Sequence, residues 1–582
     1  MKRTHTCGEL NKKNIGKTST LQGWINKSRS HGGVLFIDVR DRYGLTQAVI
    51  RPDNKFFKEA AALKRESVIE VTGKVAAREQ VNPNIPTGDI ELIVDTLKVY
   101  CSADPLPVDY DDPSKLTEEN RLKYRYLDLR RPEMQEKLRL RHVAALAARE
   151  YMSSQGFIEL ETPMLIVSTP EGARDYVVPS RVNPGKFYAL PQSPQIFKQI
   201  LMVAGFDRYF QLARCLRDED LRKDRQPEHT QIDWEMSFPE IDDIFTIAEG
   251  MMKHIWKKTI GYDVKTPFPR ISHRECMEKY GSDKPDLRFG LTLTDVSDIA
   301  QASDFNAFKD VVKAGGIVKA ICPEAQFTRK DVEEFEKMVR QNGAKGLASL
   351  KVTDAGVEGG AAKFFSADLQ TKLVKKTGAK SGSTIFMIAD KHAVANDCLA
   401  RLRNELGARL KLYNPKEFVF SWTTDFPMYE WNAADNKWEM GHNPFSRPKD
   451  SDLEFLETDP GKVFCYQYDL VLNGVELCSG SIRNTDPELL ARVLKVVGHS
   501  FEDVKKKFGF MMEAFRYGVP PHGGMGLGFD RIVAILCGEE DIREVIAFPK
   551  NKSAQCPMDG SPNELSKEQL KELHIKLDLP KK

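Results

Sequence analysis

A proline-rich, acidic segment divides this 582-residue chain near residue 105. Ser102–Pro113 contains Pro105, Pro107 and Pro113 among aspartates, which is typical of a semi-rigid linker between domains. The residues before it must therefore fold as a separate module. The remaining length exceeds one ordinary hydrophobic core, so we expect about three to five domains in an α+β multidomain chain.

Residues 1–104 alternate short β-rich runs with turns, interrupted by one helical stretch. The predicted order is three strands, a helix and two strands: Leu21–Asn26, Val34–Arg40, Thr46–Ile50, Phe56–Arg65, Val68–Ala76 and Ile90–Tyr100. This order favours a five-stranded OB-fold β-barrel. In the second strand, Leu35, Ile37 and Val39 share one face, and Phe36 lies on the polar face. Phe36 is there either a rim residue or a platform for stacking bases.

The chain beyond the linker (105–132) is predicted to contain a larger domain with an insertion. A helical pattern runs from about Glu133 to Ser154, and a strand-like run, Phe157–Leu165, leaves its sheet at Pro163. Residues 287–414 are rich in Ala, Gly and Lys, so we interpret them as an inserted domain. The insertion separates residues 133–286 from 415–549, and residues 550–582 form a polar, helix-prone C-terminal extension.

Composition excludes several classes of protein. With 41% hydrophobic and 29% charged residues and no long apolar run, the chain is predicted to be neither membrane-bound nor disordered. The N-terminus does not resemble a signal peptide, so we expect a cytoplasmic protein. The ten cysteines form no C-x-x-C pair, which favours reduced thiols and no zinc. Because the net charge is only +2, any basic surface for a nucleic acid must be local.

The segment Phe210–Glu235 is the richest in side chains that could take part in binding or catalysis. It is predicted to be a strand ending at Arg217, a charged loop and a second strand over Thr230–Glu235, together forming an antiparallel hairpin. A charge run is usually a solvated surface, and we accept that interpretation for residues 218–224. On the flanks, however, Arg217, Glu219, Gln231 and Asp233 would project from a face with apolar neighbours, which indicates a binding site.

The chain resembles class II aminoacyl-tRNA synthetases through three motifs in the order of that class. The helix followed by the strand with Pro163 is similar to motif 1, FQLARCLRDED through RQPEHTQIDWE to motif 2, and GMGLGFDRIV (Gly524–Val533) to motif 3. Four further segments resemble the bacterial-type aspartate enzymes: TPEGARDY (169–176), SPQIFKQ (193–199), GHNPF (441–445) and GVELCSGSIR (474–483). The resemblance implies an OB barrel, an antiparallel-sheet catalytic domain, an inserted α+β domain of the bacterial (GAD) type and a homodimer.

The resemblance also implies the substrates ATP, L-aspartate and tRNA(Asp). Arg217 resembles the arginine that binds the α-phosphate, and Arg531 resembles the one that binds the γ-phosphate; both are the expected catalytic residues. The full set implied for ATP is Arg217, Asp218, Glu219, Gln226, His229, Glu476, Gly528, Phe529, Asp530 and Arg531. Asp469 and Glu476, on opposite sides of the Asn473–Gly474 turn, resemble the acids that hold Mg²⁺, which suits oxygen ligands and phosphate.

Aspartate needs cations for its side chain, because a buried carboxylate without a partner is costly. Lys198 and Arg483 resemble the pair that binds this carboxylate. The residues implied for the amino acid are Glu171, Gln195, Lys198, Arg217, Asp233, His442 and Arg483. In the barrel, Phe36 and Gln47 resemble residues that hold the central anticodon base. His31 occupies a position at which a histidine resembles the relatives that charge both tRNA(Asp) and tRNA(Asn).

Three departures from the family pattern leave its charges in place. His229 stands where a phenylalanine usually stacks on adenine, and an imidazole can still stack with less apolar area. Asn443 replaces the second histidine of a His-His-Pro-Phe motif, which puts the role of that second histidine in doubt. The small-residue stretch before Arg483 is Cys478-Ser479-Gly480-Ser481 here.

Other functions agree less well with the residues. A lysine enzyme would need acids at the side-chain end of the pocket, and an asparagine enzyme would not need both Lys198 and Arg483. An inactive RNA-binding paralogue would be expected to lose Arg217, Glu219, Glu476 or Arg531. An ammonia-dependent asparagine synthetase would lack the barrel. Whether tRNA(Asn) is charged besides tRNA(Asp) stays open on the sequence.

Overall fold

The computed structural model describes residues 3–110, 112, 115–168 and 173–579. The chain forms two compact units: residues up to 139 with 543–563, and residues 140–542 with 564 onward. In the described part of the chain, no helix is long and apolar enough to cross a membrane. All ten cysteines are free, and seven of them are buried.

The first unit contains a closed barrel with the strand order β1-β2-β3-β5-β4. Its elements are β1 (Thr18–His31), β2 (Val34–Asp41), β3 (Gly44–Ile50), α1 (Phe57–Ala62), β4 (Val68–Ala77), β5 (Ile90–Cys101), α2 (Glu118–Lys123) and α3 (Arg125–Asp128). The OB-fold prediction is therefore confirmed. Leu35, Ile37 and Val39 lie in the barrel core, each at most 4% exposed, and Phe36 is on the other face, as the alternation predicted.

The first strand is longer than the sequence predicted. It continues past Asn26 to His31, and Ser28–His31 pair with β2 although none of these side chains is apolar. A register shift lies between Ile25 and Lys27. Main-chain pairing with β2, which no side-chain pattern records, extends the strand.

The second unit is built on an eight-stranded sheet with the order β11-β17-β20-β21-β22-β10-β9-β6. Its first elements are α4 (Pro132–Ser154, from Leu140 onward in this unit), β6 (Ile158–Glu159), β7 (Val177–Pro179), β8 (Phe187–Ala189), α5 (Gln195–Val203), β9 (Arg208–Leu216), β10 (Glu228–Ser237), α6 (Ile241–Ile260), β11 (Arg270–Ser272) and α7 (His273–Lys279). The edge strands pair in parallel, and all the pairings between them are antiparallel.

Residues 293–390 contain a separate five-stranded sheet, with the order β12-β13-β16-β14-β15. This part comprises β12 (Leu293–Asp295), α8 (Ser297–Ala302), α9 (Asn306–Lys313), β13 (Ile317–Ile321), α10 (Arg329–Gln341), β14 (Ala348–Thr353), β15 (Gly356–Glu358), α11 (Ala367–Thr377), β16 (Thr384–Asp390) and α12 (His392–Arg409). Two apolar clusters cover this sheet, one including α10 and α12 and the other α8, α9 and α11. The inserted segment thus has its own core.

The chain then returns to the large sheet. The remaining elements are β17 (Phe420–Pro427), β18 (Tyr429–Asn432), β19 (Lys437–Met440), β20 (Phe464–Leu472), β21 (Val475–Ile482), α13 (Pro487–Val496), α14 (Phe501–Phe515), β22 (His522–Gly528), α15 (Phe529–Cys537) and α16 (Lys567–Glu572). Buried Trp234, Trp422 and Tyr468 pack along this sheet. It is the antiparallel sheet that the sequence predicted.

The strand predicted over Phe157–Leu165 is wrong in length. β6 contains only Ile158 and Glu159, which pair in parallel with Tyr209 and Phe210 of β9 at the edge of the sheet. One further main-chain bond, from the Leu160 amide to the Phe210 carbonyl, follows at 3.1 Å. The chain thus leaves the sheet at Leu160, three residues before the predicted point at Pro163, so the proline, which cannot donate to a ladder, is not what ends the strand.

Candidate active site

A cavity of about 700 Å³ opens on one face of the large sheet. β10, β21 and β22 contribute its floor, α5 and the segment after β9 contribute further lining, and α15 closes the end beyond β22. The predicted residues that line it are Gln195, Lys198, Arg217, Glu219, Gln226, His229, Asp233, His442, Glu476, Arg483, Gly528, Asp530 and Arg531. Residues up to 336 positions apart in the printed sequence, Gln195 and Arg531, are therefore brought to one site.

Three further residues predicted for this site, Asp218, Asp469 and Phe529, are absent from the cavity lining, and a fourth cannot be placed. Glu171 falls outside the described residues. Asp218 is not part of the cavity lining, and its half-exposed carboxylate lies 3.9 Å from Arg174. Phe529 is 2% exposed, with the Arg141 guanidinium 4.8 Å from its ring centre, and Asp469 is buried in the sheet. For Asp218, Asp469 and Phe529, the structure does not place the side chain in the cavity lining.

The hairpin predicted over residues 210–235 is confirmed, with its strands β9 and β10 paired from Arg208–Met236 to Leu216–Glu228. Arg217 lies just past the end of β9 and donates its Nε hydrogen to the Gln192 carbonyl at 3.4 Å. Within the described residues, no carboxylate is within ion-pair distance of the Arg217 guanidinium. Arg217 is thus a cation at the cavity wall whose charge is not already matched there.

A buried charge cluster forms one end of the cavity. The Lys198 ammonium is 2.8 Å from Asp233 and 3.3 Å from Glu235, and Arg483 donates to both Glu235 oxygens at 2.7 and 3.0 Å. Arg483 also donates to the Ser481 hydroxyl at 2.9 Å. All four charged side chains are at most 4% exposed. Two cations and two carboxylates are thus paired with each other in a region from which water is excluded.

The two acids of this cluster are affected in opposite directions. Burial raises the pKa of Asp233 to about 6, although Lys198 opposes the shift, and its Oδ1 has no hydrogen-bond partner in the described part of the protein. Burial also acts to raise the pKa of Glu235, but Arg483 and Lys198 outweigh it and hold that pKa below its usual value. Asp233 therefore keeps an acceptor oxygen available for a cation.

Gln195 and His442 flank this end of the cavity. Gln195 begins α5, and its buried Nε2 has no acceptor among the described residues; its Oε1 is 3.5 Å from the Asn443 amide. The His442 ring contacts Phe426 edge to face at 4.8 Å. Burial, followed by the nearby His273, lowers the pKa of His442 to about 4, so its imidazole is neutral at physiological pH.

The opposite end of the cavity is formed by β22 and α15. A Cβ on Gly526 would lie 3.2 Å from Gln231 Oε1 and 3.3 Å from Asp233 Oδ2, so a side chain there would crowd the cavity floor. The Asp530 carboxylate binds Arg141 at 2.6 Å and the Thr230 amide at 2.7 Å. Its oxygens are used to hold α15 in place, which makes Asp530 a positioning residue at the cavity edge.

Arg531 and His229 face this end. Arg531 donates to the Glu476 carbonyl and lies 3.2 Å from Asp224, while its buried Nε has no acceptor among the described residues. Burial lowers the pKa of His229 to about 3, and Arg217, Arg214 and Arg531 act in the same direction. The His229 imidazole is therefore neutral and offers a flat ring to the cavity.

Asp469 and Glu476 lie on β20 and β21, on either side of a tight turn. Asn473 and Gly474 at that turn have φ values of 52° and 85°, as a two-residue hairpin loop requires. Asp469 is 4% exposed, and its Oδ1 has no hydrogen-bond partner within the described ranges. Burial and the neighbouring Glu476 carboxylate raise the pKa of Asp469 well above its usual value. Two close carboxylates, one with an unused oxygen, suit a divalent cation.

The sequence analysis missed two side chains of this site. Glu235 shares the cavity face of β10 with Gln231 and Asp233, so strict alternation along the strand could have identified it. Lys284 lines the cavity and lies 3.7 Å from Glu476, but it comes from the segment that leads into the inserted sheet. Nothing local in the sequence indicates that placement.

The barrel residues Phe36, Gln47 and His31 lie in the first unit. The Arg29 guanidinium is 5.8 Å from the centre of the Phe36 ring, which is partly exposed. Gln47 is 2% exposed; its oxygen accepts from Arg29 at 2.6 Å and Arg78 at 2.7 Å. Its amide nitrogen donates to Glu91 at 2.9 Å.

Both ends of the Gln47 amide are thus engaged within the protein, which the sequence did not indicate. His31 is exposed at the end of β1, opposite Val34. These residues put an aromatic ring, two arginines and a glutamate on one surface of the barrel.

Two family descriptions match the chain. Residues 117–552 match the tRNA synthetases of class II (D, K and N), and residues 19–100 match the OB-fold nucleic acid binding domain. The aspartate–tRNA(Asp/Asn) ligase of Caldanaerobacter subterraneus subsp. tengcongensis is 50% identical, covering 100% of this chain and 99% of that protein. The aspartate–tRNA ligase of Ruminiclostridium cellulolyticum is 48% identical, covering 99% and 98%.

Solved structures with a similar fold are more distant in sequence. An asparaginyl-tRNA synthetase from Pyrococcus horikoshii complexed with asparaginyl-adenylate has a TM-score of 0.59 at 20% identity, covering 94% of this chain and 98% of that one. An aspartyl-tRNA synthetase from Entamoeba histolytica has a TM-score of 0.57 at 19% identity, covering 95% and 92%. At 19–20% sequence identity, these matches show similarity of fold alone.

Proposed function

The chain belongs to the aspartate–tRNA ligases of the class II tRNA synthetases, and from this premise we propose how its residues activate L-aspartate and charge tRNA. In the first step, a carboxylate oxygen of aspartate attacks the α-phosphorus of ATP, the bond to the bridging oxygen breaks, and pyrophosphate leaves. In the second, the terminal ribose hydroxyl of tRNA attacks the carbonyl carbon and AMP leaves.

The buried cluster of Lys198, Asp233, Glu235 and Arg483 is the observation that supports the choice of aspartate. Lys198 and Arg483 bind the side-chain carboxylate of the substrate, and Glu235 orients both. The free Oδ1 of Asp233 and the side chain of Gln195 bind the ammonium group, together with Glu171 by resemblance. An asparagine side chain would bring no negative charge to Lys198 and Arg483, and a lysine side chain would be repelled by them.

Catalysis of the first step depends on position and charge. The attacking carboxylate, with a pKa of ~4, is already ionised at neutral pH, so no general base is needed. Arg217 binds the α-phosphate and stabilises the charge that develops there, and Arg531 binds the γ-phosphate. His442, neutral in its buried position, contacts the substrate without adding charge.

Asp469 and Glu476 are the residues that would hold Mg²⁺. The unpartnered oxygen of Asp469 and its pKa, raised by burial and then by the neighbouring Glu476, both fit a cation at this place. Among the described residues, no group of three or more His, Cys, Asp or Glu side chains is arranged to hold a metal ion. Two carboxylates would suffice with phosphate oxygens as the other ligands. When bound, the cation would neutralise negative charge on the phosphates.

The adenine of ATP stacks on His229, and Gln226 and Glu219 lie beside it in the same lining. Because the His229 imidazole is uncharged, it stacks as a neutral ring, with less area than a phenylalanine would provide. Gly526 and Gly528 keep the floor below the nucleotide free of side chains.

The barrel binds the anticodon of tRNA(Asp). Phe36 stacks on an unpaired base, and the polar groups around Gln47 select it. Because Arg29, Arg78 and Glu91 already occupy the Gln47 amide, base recognition involves this whole group. His31 and the names of relatives that charge tRNA(Asp/Asn) support a second substrate, tRNA(Asn). The other candidate is an enzyme specific for tRNA(Asp), the name that further relatives carry.

The enzyme is a cytoplasmic homodimer in this proposal. The large apolar side chains of Leu146 in α4, Ile158 in β6 and the following Met164 and Leu165 are each 42–51% exposed. These residues belong to motif 1, and a second copy of the chain would cover them.

Aspartate-dependent exchange of pyrophosphate into ATP tests the proposal. Lys198→Ala and Arg483→Ala are each expected to lower kcat/KM for aspartate by about 2–5 kcal/mol, because removing one member strands buried charge. The KM for ATP should change much less. Lys253→Ala, which removes a half-exposed lysine of α6 paired with Asp263, is the matched control and should behave as wild type. A selective loss of ATP affinity in the two variants would contradict the assignment.

A further inference from the structure

Residues 281–288, with the sequence GSDKPDLR, form the segment that leads from α7 into the five-stranded inserted sheet; we call it the insertion root. It is anchored on both sides. The Thr423 hydroxyl of β17 donates to the Asp283 carbonyl at 2.6 Å, and Arg403 of α12 donates to the Asp286 carbonyl at 2.9 Å. The insertion root is therefore fixed between the catalytic sheet and the inserted domain.

Arg403 also holds the residues that directly follow the insertion root. Its guanidinium also donates to the carbonyls of Leu291, Phe289 and Gly290 at 2.8–2.9 Å and lies 4.0 Å from the Phe289 ring centre. At the start of the root, Gly281 has a φ of 71°, and a Cβ there would lie 2.5 Å from the Asn396 carbonyl oxygen of α12. These contacts tie the insertion root to α12.

Lys284, in the middle of the insertion root, reaches the active-site cavity. Its Nζ lies 3.7 Å from Glu476 Oε2, and 45% of its side chain is exposed. Asp286 of the same segment packs on the β20–β21 turn, where a Cβ on Gly474 would be 3.4 Å from Asp286 Cβ. The root therefore presents its lysine directly beside the hairpin that carries Asp469 and Glu476.

Lys284 and Arg531, the two cations beside Glu476, have donor groups that make no hydrogen bond within the described residues. At 3.7 Å the Lys284 ammonium attracts Glu476 but makes no hydrogen bond, and it donates none to any other described residue. The buried Nε of Arg531, whose Nη1 donates to the Glu476 carbonyl, has no acceptor in the described part of the chain. Two cations with unused donors thus converge on Glu476, an arrangement suited to an anion with several oxygens.

We propose that Lys284 is a further substrate-binding residue that contacts the β- and γ-phosphates of ATP and the pyrophosphate that leaves. This inference rests on the proposed function. When the bond between the α-phosphorus and the bridging oxygen breaks, the electron pair stays on pyrophosphate, and an ammonium at this place offsets the added charge. No proton transfer is required. The inserted domain would then contribute to nucleotide binding through its root.

A purely structural role makes a different prediction. A half-exposed ion pair contributes little to stability, so a lysine that only neutralised Glu476 could be replaced with small effects on all substrates. A phosphate-binding lysine affects ATP and pyrophosphate selectively. Arginine at the same position should restore binding in part, because it also carries a positive charge and several donors.

The experiment compares Lys284→Ala, Lys284→Arg and wild type, with Lys279→Ala as the matched control. Lys279 lies five positions earlier on α7, is 52% exposed and pairs with Glu275, but it does not line the cavity. The measurements are KM for ATP, pyrophosphate and aspartate in the exchange reaction, and the Kd for pyrophosphate by calorimetry without turnover.

Lys284→Ala is expected to raise KM for ATP and both constants for pyrophosphate about tenfold, with KM for aspartate within about twofold of wild type, as loss of one charged contact predicts. Lys284→Arg should recover part of the loss, and Lys279→Ala should match wild type. Unchanged ATP and pyrophosphate affinities, or equal losses for ATP and aspartate, would overturn the inference. If wild type showed no aspartate-dependent exchange, the proposed function would fail instead, and the calorimetric Kd would still decide the role of Lys284.

Discussion

Glu235 shows how one buried carboxylate can organise a binding pocket. It accepts two hydrogen bonds from Arg483 and lies 3.3 Å from Lys198, at 0% exposure. Without it, Arg483 would lose its carboxylate partner and Lys198 would keep only Asp233, in a region that excludes water, at a cost of several kcal/mol. With it, their positions are fixed before substrate arrives, so less ordering is required on binding.

Asp233 makes the pocket sensitive to mild acid. Because its pKa is raised to about 6, the carboxylate is ionised above pH 6 and becomes protonated as the pH falls below it. We expect kcat/KM for aspartate to be level from pH 7 to 8 and to fall towards tenfold per pH unit below about 6, since the protonated form cannot pair with an ammonium.

Pyrophosphate exchange measured from pH 5 to 8 tests this expectation. The substrate carboxylates, with pKa values near ~4, stay ionised over this range, so they do not produce the same break. Asp233→Asn should lower activity at pH 8 and remove the break. A level wild-type profile down to pH 5 would show that Asp233 does not control aspartate binding.

At the scale of secondary-structure elements, each functional surface is carried by a few strands. β10 contributes Gln231, Asp233 and Glu235 from one face, and the β20–β21 hairpin contributes the acid pair around a tight turn. In the barrel, β2 and β3 contribute Phe36 and Gln47. Strands hold side chains on one face at fixed spacing, which is why rigid sites are built on them.

Phe36 should contribute to tRNA recognition and not to amino-acid activation. Phe36→Ala is expected to lower kcat/KM for tRNA(Asp) by about 1–3 kcal/mol, the value of stacking one base on an aromatic ring. Pyrophosphate exchange without tRNA should be unchanged. Tyr100→Ala is the control, because Tyr100 is an exposed aromatic of the same barrel that contacts Gln22 and Glu70 instead. Equal losses in the two variants would argue against a stacking role for Phe36.

Glu544 stabilises the helices that follow the barrel. Its carboxylate accepts from Arg121 at 2.6 and 2.9 Å and from Lys137 at 3.2 Å. Burial acts to raise its pKa, but Arg121 and Lys137 outweigh this and lower the value from 4.5 to about 2. The stabilisation is therefore complete above pH 4.5 and is lost as the pH falls towards 2.

Glu544→Gln is accordingly expected to lower the free energy of unfolding at pH 7 by about 1–3 kcal/mol, the scale of hydrogen bonds to charged groups. Glu540→Gln should change it by less than about 0.5 kcal/mol, because Glu540 forms an exposed pair with Lys223. Thermal unfolding followed by calorimetry compares the two. A shift of equal size in both variants would contradict the importance of the Glu544 contacts.

At the scale of the whole molecule, the chain separates two recognition tasks. The cavity that selects the amino acid lies in the second unit, and the barrel surface that faces nucleic acid in our proposal lies in the first. Changes in the barrel should therefore alter the choice of tRNA without altering amino-acid activation.

His31→Leu tests this separation. If His31 permits both third-position anticodon bases, the variant should charge tRNA(Asn) less well relative to tRNA(Asp), while pyrophosphate exchange stays at the wild-type level. Aminoacylation of the two purified tRNAs by both proteins provides the measurement. Negligible charging of tRNA(Asn) by wild type would favour the enzyme specific for tRNA(Asp).

Local patterns in the sequence were sufficient for most of the elements, whereas most candidate residues came from the resemblance to class II synthetases. Alternation predicted the faces of β2, the Asn473–Gly474 pair predicted a hairpin turn, and the strand–loop–strand pattern of residues 210–235 predicted the β9–β10 hairpin. Such features depend on neighbours within a few positions, so the sequence records them directly.

Contacts between distant segments were decided only by the tertiary structure. β10 pairs with β22, which pairs with β21, and this register brings Arg483 to Glu235 across 248 positions. The placement of Lys284 beside Glu476, the engagement of Gln47 by two arginines and the early end of β6 have the same origin. Each depends on strand order and on packing over long distances in the chain, and no local periodicity encodes either of them.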